Sequence, residues 1–162
     1  NDIVLVAPGS PVRGERGQEM GVHCLFSQLS ALKPDLFPFT VVDYDTHKGY
    51  DCVVSTSTVF DLNNPTMAFV EFKYRLEPKF NHSFEHLANV VCWECDLNQG
   101  TEVVDLNGER RRLDIFERSD SRDHRSFFLQ GIGKPHNIEV FVLKDYLRDK
   151  LNLEFKPRVS GG

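Results

Sequence analysis

Residues 68–76 read Ala68-Phe69-Val70-Glu71-Phe72-Lys73-Tyr74-Arg75-Leu76. Aromatic and β-branched residues dominate this segment and recur with a period of two, which predicts a β-strand. Because successive side chains of a strand point to opposite faces, Glu71 and Lys73 share the face opposite Val70. The predicted strand therefore presents a carboxylate and an ammonium group side by side within a largely apolar segment.

A second acidic residue opens an apolar run earlier in the chain. Asp51 stands directly before this run, and residues 50–57 are predicted to form a strand that returns from a tight turn. Residues 39–46 supply the strand before it. Three consecutive strands with short connections predict an antiparallel meander. In such a meander, Asp51 can come close to Glu71 and Lys73 on the neighbouring strand.

Two helices are predicted around these strands. Residues 15–33 carry apolar side chains at helical spacing up to Pro34, and Glu19 lies on the same stripe. A second helix is predicted over residues 82–96, after a break at 78–81. Its apolar stripe comprises Phe84, Leu87, Ala88, Val91 and Cys95.

The last part of the chain predicts a hairpin, two further strands and a short helix. Asn107-Gly108 is a strong hairpin signal between strand candidates at 102–106 and 110–116. The remaining elements are strands at 126–129 and 138–143 and a helix at 144–151. Together these elements predict an α/β fold with a mixed central sheet flanked by helices.

Length and composition indicate one ordinary globular domain. The chain has 162 residues, of which 40% are hydrophobic and 27% charged. We expect the domain to span residues 1–158 and residues 159–162 to form a linker or tail. Because the chain does not begin with Met and ends in a linker-like segment, we interpret it as a domain excised from a larger protein.

The sequence predicts an intracellular location, in the cytoplasm or nucleus. It contains no apolar run of membrane-spanning length and no signal peptide, so we expect neither membrane insertion nor secretion. Its four cysteines lie inside apolar segments, which predicts buried free thiols in a reducing compartment. They are Cys24, Cys52, Cys92 and Cys95.

The net charge of −5 bears on how the chain would bind nucleic acid. A protein that binds the phosphates of nucleic acid without help from other domains usually carries an excess of Lys and Arg. Affinity for nucleic acid would therefore come from other domains of a parent protein, from a bound metal or from a local basic patch.

The order of elements, with Asp51 and then Glu71-Phe72-Lys73 on successive strands, resembles the restriction-endonuclease-like superfamily, also called the PD-(D/E)xK nucleases. The resemblance spans roughly residues 15–143 and includes Gly49-Tyr50-Asp51. Tyr50 stands where the family pattern has Pro. The second predicted helix lacks a Gln-x-x-x-Tyr motif, which argues against the exonuclease subgroup, and offers His82 and His86 instead.

The resemblance implies a restriction-endonuclease-like core and metal-dependent hydrolysis of phosphodiester bonds. Asp51 and Glu71 would bind Mg²⁺ or Mn²⁺, which prefer hard oxygen ligands. The resemblance adds the backbone carbonyl of Phe72 as a ligand and Glu19 on the first helix near the metal. Lys73 would orient the attacking water or stabilise the developing charge.

Several assignments have alternatives. Glu15 rivals Glu19 as the helix ligand, and Glu19 alternatively serves as a helix-start charge that the dipole favours. Asp43 and Asp45 share a predicted strand face and could be ligands in another register, although a solvated role next to the turn is favoured. Glu71 and Lys73 could also form a solvent-facing pair of little consequence.

The favoured function is that of a DNA endonuclease domain acting with other domains of a parent protein. Arg75 and His86 are candidate nucleic-acid contacts, each with a solvated surface role as its alternative. A catalytically silent module on the same fold, binding nucleic acid or a protein partner, is one alternative function. An RNA endonuclease is another, since the attacked phosphodiester is the same.

Overall fold

The computed structural model describes residues 5, 7–8, 18–44, 52–55, 67–134 and 136–155. Within these residues the chain forms an α/β fold with one eight-stranded sheet and two helices, which agrees with the predicted class. In chain order the elements are α1 (Gln18–Leu32), β1 (Thr40–Asp43), β2 (Cys52–Ser55), β3 (Met67–Arg75), β4 (Leu87–Glu94), β5 (Glu102–Val104), β6 (Arg110–Phe116), β7 (Ser126–Gln130), β8 (Ile138–Val142) and α2 (Leu143–Leu151).

The sheet is mixed, with the strand order β1-β2-β3-β4-β8-β7-β6-β5. Strands β1, β2 and β3 pair antiparallel, so the predicted meander is confirmed. Strand β4 runs parallel to both β3 and β8, and the strands beyond β8 pair antiparallel. Strand β3 therefore lies between an antiparallel neighbour and a parallel one.

The predicted helix over residues 82–96 is wrong, because residues 87–94 form strand β4. This strand is buried on both faces, with Val91 and Trp93 in one core cluster and Val90 and Cys92 in the other. A strand buried on both faces is a continuous apolar run. Because such a run lacks the alternation of a half-buried strand, its sequence resembles that of a buried helix. The polar residues before it belong to a connection and not to a helix.

Two core clusters lie on opposite faces of the sheet. The first core cluster includes Val70 and Phe72 of β3 and is covered by α1 and α2. The second core cluster includes Phe80 and Phe84, which lie in the connection between β3 and β4. Each face of the central strands is thus closed by a different segment of the chain.

Helix α1 buries most of its predicted apolar stripe. Val22, Leu25, Phe26 and Leu29 are at most 2% exposed, whereas Leu32 at the end of the helix is 46% exposed. The helix ends before Pro34, as predicted, since proline cannot continue the hydrogen-bonding ladder.

The hairpin predicted around Asn107-Gly108 is confirmed, with Gly108 in the left-handed region at φ +82°, but residues 105–109 connect its strands in place of the two predicted. Its first strand ends at Val104, earlier than predicted, because the next residue, Asp105, forms part of the turn. Oδ1 of Asp105 accepts hydrogen bonds from the backbone N–H groups of Asn107 and Glu109, both at 2.8 Å. The strands β7 and β8 and the helix α2 also lie where the sequence predicts them.

The cysteines differ in environment more than predicted. Cys52 and Cys92 are buried, but Cys24 is exposed on α1. Burial raises the pKa of the Cys92 thiol well above its usual value, and burial also raises that of Cys95. These two thiols are therefore protonated at neutral pH.

Several predicted features lie outside the described residues, namely Asp51, Glu15, Asp45 and the tail at 159–162. In the part of the chain that the structure describes, neither helix combines the length and apolar character needed to cross a bilayer.

Replacing Phe26 by Ala should destabilise the domain strongly. The Phe26 ring is 1% exposed and lies 4.8 Å from the ring of Phe37 and 5.1 Å from that of Phe72, centroid to centroid. Truncation of such a ring costs about 3–5 kcal/mol. Leu32→Ala, on the same helix but exposed, should change the free energy of unfolding by only about 0.5 kcal/mol. Urea unfolding followed by circular dichroism measures both, and equal losses would contradict the described packing of α1.

Candidate functional site

Strand β3 places Glu71 and Lys73 on one face of the sheet, as the sequence predicts. The Lys73 Nζ lies 2.8 Å from Glu71 Oε1, and the Glu71 side chain is only 1% exposed. Their partners on the parallel strand β4 are Val90 and Cys92, both members of the second core cluster. The alternative of a solvent-facing pair is therefore wrong for the carboxylate, which lies within the apolar second face.

His82 also contacts Glu71, and the sequence did not indicate this. Its Nε2 lies 3.2 Å from Glu71 Oε1, the same oxygen that Lys73 approaches. The prediction that His82 and His86 stand one turn apart on a helix fails, because both precede strand β4. The cluster Asn81-His82-Ser83 after Pro78 is a loop signal that could have indicated a connection.

The ring of Phe80 lies beneath the ammonium group of Lys73. The Nζ of Lys73 is 5.4 Å from the ring centroid, within the range of a cation–π interaction. Phe80 is 4% exposed and is itself a member of the second core cluster. The Lys73 ammonium is thus held between an aromatic face and the Glu71 carboxylate.

The connection between β3 and β4, which carries Phe80 and His82, is held against the β5–β6 hairpin by backbone hydrogen bonds. The Phe80 N–H donates to the Val104 carbonyl at 2.8 Å, and the Val104 N–H donates to the Pro78 carbonyl at 2.9 Å. The Phe84 N–H donates to Oδ2 of the buried Asp105 at 2.9 Å. This hairpin therefore fixes where the connection crosses the face of β3.

A cavity of about 220 Å³ opens beside Lys73. It is lined by Glu19, Lys73, Tyr74, Arg75, Glu77, Lys79, Phe80 and Asn81. Glu19 is exposed in the first turn of α1. The structure thus brings Glu19 to the same cavity as Lys73, two residues that stand far apart in the sequence.

Arg75, a predicted nucleic-acid contact, is bound to acidic side chains. Its guanidinium donates to the Glu94 carboxylate and lies 3.2 Å from Asp96 Oδ2. The hydrogen bond to Glu94 raises the pKa of Arg75. A phosphate at this position would have to compete with these two carboxylates.

His86, the other predicted nucleic-acid contact, is 71% exposed and lies 3.6 Å from Glu85 Oε1. It adopts φ +64°, a left-handed conformation at the entry to β4. The described ion contact of His86 is with Glu85 and not with Glu71 or Lys73. Its predicted contact with nucleic acid therefore does not depend on the Glu71–Lys73 pair.

The predicted metal ligands are distributed as follows. Glu71 is buried and Glu19 exposed, while Asp51 lies outside the described residues. The Phe72 side chain packs in the first core cluster, and the ligand role of its carbonyl stays a prediction. Over the described ranges, no three His, Cys, Asp or Glu side chains are grouped closely enough to hold an ion. Asp43, the alternative ligand, accepts a 2.8 Å hydrogen bond from the Tyr44 N–H at the exposed end of β1.

Among known proteins, no protein-family model, no curated protein and no solved structure matches the chain.

The Glu71–Lys73 pair should show strong energetic coupling in a double-mutant cycle. Lys73→Met leaves the buried carboxylate without its ammonium partner, and breaking a buried pair in this way costs about 3–5 kcal/mol. The double variant Glu71→Gln/Lys73→Met should recover part of this loss, since neither charge remains. Urea unfolding in the presence of EDTA measures the four proteins. A coupling free energy below about 0.5 kcal/mol, typical of independent sites, would contradict the described contact.

Proposed function

We propose that this chain is a metal-dependent nuclease domain that hydrolyses phosphodiester bonds, with DNA as the favoured substrate. The observation that supports this proposal is the buried Glu71 carboxylate on β3, held 2.8 Å from the ammonium group of Lys73. Lys73 in turn lines a cavity together with Glu19. A carboxylate can bind a hard cation, and a lysine beside it can stabilise the charge that develops during phosphodiester hydrolysis.

The pairing of β2 with β3 supports the inclusion of Asp51 in the proposal. Cys52, which follows Asp51 in the sequence, pairs with Val70, which precedes Glu71. We therefore include Asp51 as the second carboxylate ligand.

The residues fit Mg²⁺ or Mn²⁺ in the chemistry of their donor atoms. Glu71, Asp51 and Glu19 would bind the ion through carboxylate oxygens, and Phe72 through its backbone carbonyl. These are the hard oxygen donors that such ions prefer. A bound ion supplies Lewis-acid stabilisation of the charge that develops on the phosphate.

Lys73 has two roles in the proposed reaction. Its ammonium group compensates the buried Glu71 charge and so lowers the cost of holding a carboxylate in the second core cluster. Its position beside the cavity lets the same group donate a hydrogen bond to the attacking water or to the phosphate oxyanion. Phe80 restricts where this ammonium group can lie.

The cavity brings three basic side chains together on a chain whose net charge is −5. Lys73, Arg75 and Lys79 line it, together with two acidic residues, Glu19 and Glu77. A phosphate group entering here would share Lys73 with Glu71 and would compete with Glu94 and Asp96 for Arg75. Recognition of a longer stretch of nucleic acid is then assigned to other domains of a parent protein.

A catalytically silent module is the second candidate, and one observation favours it. Lys73 and His82 both approach Oε1 of Glu71, so the carboxylate is compensated within the chain itself. Such a triad could stabilise the fold alone. Isothermal titration with Mn²⁺ separates the candidates, because the silent module predicts no binding heat at millimolar Mn²⁺.

Asp51→Ala, Glu71→Ala and Lys73→Ala should each abolish cleavage, because each removes a ligand or the water-orienting cation. Loss of one such group typically lowers the rate by about 10²–10³-fold or more. Cleavage of matched single- and double-stranded DNA and RNA in Mg²⁺ or Mn²⁺ measures this effect and identifies the substrate. EDTA should abolish the activity of the wild-type chain.

Glu102→Gln is the matched control. Glu102 lies on β5 and pairs with Arg110 on the hairpin surface, so its loss should leave cleavage unchanged. Circular dichroism confirms that each variant retains its fold. Full activity in a folded Glu71→Ala or Lys73→Ala variant, or activity that persists in EDTA, would refute the assignment.

A further inference from the structure

We infer that His82 is a positioning residue, which fixes the orientation of the Glu71 carboxylate for binding a divalent cation. This inference rests on the proposed function and adds a residue that the sequence placed on a helix. His82 Nε2 lies 3.2 Å from Glu71 Oε1, and the imidazole is partly exposed at 31%. The histidine therefore reaches the buried carboxylate from the solvent side.

The geometry assigns His82 an orienting role. Lys73 and His82 approach the same oxygen, Oε1, from two different segments of the chain. Two simultaneous contacts to one oxygen restrict the terminal torsion of the Glu71 side chain, which is otherwise broad for a carboxylate. A carboxylate held in this way presents a defined oxygen arrangement to a cation.

The chemistry of the imidazole suits an orienting role. Lys73 provides an ammonium group 2.8 Å from Glu71 Oε1, and His82 provides a second contact to the same oxygen. An imidazole N–H at Nε2 donates a directional hydrogen bond to a carboxylate oxygen. Partners of metal-binding carboxylates commonly act in this way, by orienting the ligand.

The backbone around His82 is anchored well enough for it to orient another residue. The Leu106 N–H donates to the His82 carbonyl at 3.3 Å, which ties His82 itself to the β5–β6 hairpin. On either side, Phe80 and Phe84 are buried and hydrogen-bonded to the same hairpin. The imidazole is thus carried on a segment fixed at three points.

The test compares His82→Ala with His82→Gln, which retains a neutral N–H donor at similar reach. Isothermal titration gives the Kd for Mn²⁺, and cleavage assays give kcat and the Mn²⁺ concentration for half-maximal rate. We expect His82→Ala to weaken Mn²⁺ binding about 10-fold or more. Raising Mn²⁺ should restore its kcat, and His82→Gln should recover most of the affinity.

His136→Gln is the control, since this exposed histidine offers its backbone carbonyl, and not its side chain, to Arg111. An unchanged Mn²⁺ Kd in His82→Ala, with metal-dependent cleavage by the wild-type chain, overturns the positioning role and leaves the proposed function standing. Equal weakening in the Ala and Gln variants, matched by equal losses of thermal stability, also overturns it. A folded wild-type chain that neither binds Mn²⁺ nor cleaves overturns both proposals.

Discussion

The burial of one carboxylate, that of Glu71, constrains the rest of this structure. A carboxylate in an apolar environment costs several kcal/mol unless charge and hydrogen bonds compensate it. Lys73 supplies the opposite charge at 2.8 Å, and His82 supplies a second contact at 3.2 Å. The Lys73 contact forms within strand β3, whereas the His82 contact forms only if the connection to β4 lies against this strand.

The two faces of the sheet differ in the side chains packed against strand β3. On the first face, α1 packs its apolar stripe in one core cluster with Val70 and Phe72. On the second face, the connection between β3 and β4 brings Phe80 and His82 over Glu71 and Lys73. The β5–β6 hairpin holds that connection by hydrogen bonds that include those of Asp105. A hairpin remote in sequence thereby supports the candidate site.

Local patterns predicted the site only in part. Glu71 and Lys73 could be placed together because the two-residue period of a strand is a local property of the chain. His82 could not, because its contact with Glu71 depends on the path of a connection that the hairpin determines. Residues 87–94 were misassigned for a related reason: burial on both faces removes the alternation that would mark a strand. Glu19 is predicted from the resemblance alone. The cavity that it lines together with Lys73 depends on how α1 packs near β3, which the sequence does not indicate.

The sequence alone determined the features that arise from neighbouring residues. These are the α/β class, the helix that ends before Pro34, the antiparallel meander, the Asn107-Gly108 turn and the shared face of Glu71 and Lys73. The tertiary structure alone decided that β4 lies parallel to β3 and that the connection between them carries His82 to Glu71. The physical reason is that parallel pairing and the burial of a charge both depend on segments distant in the chain, whose contacts leave no periodic signal in the sequence.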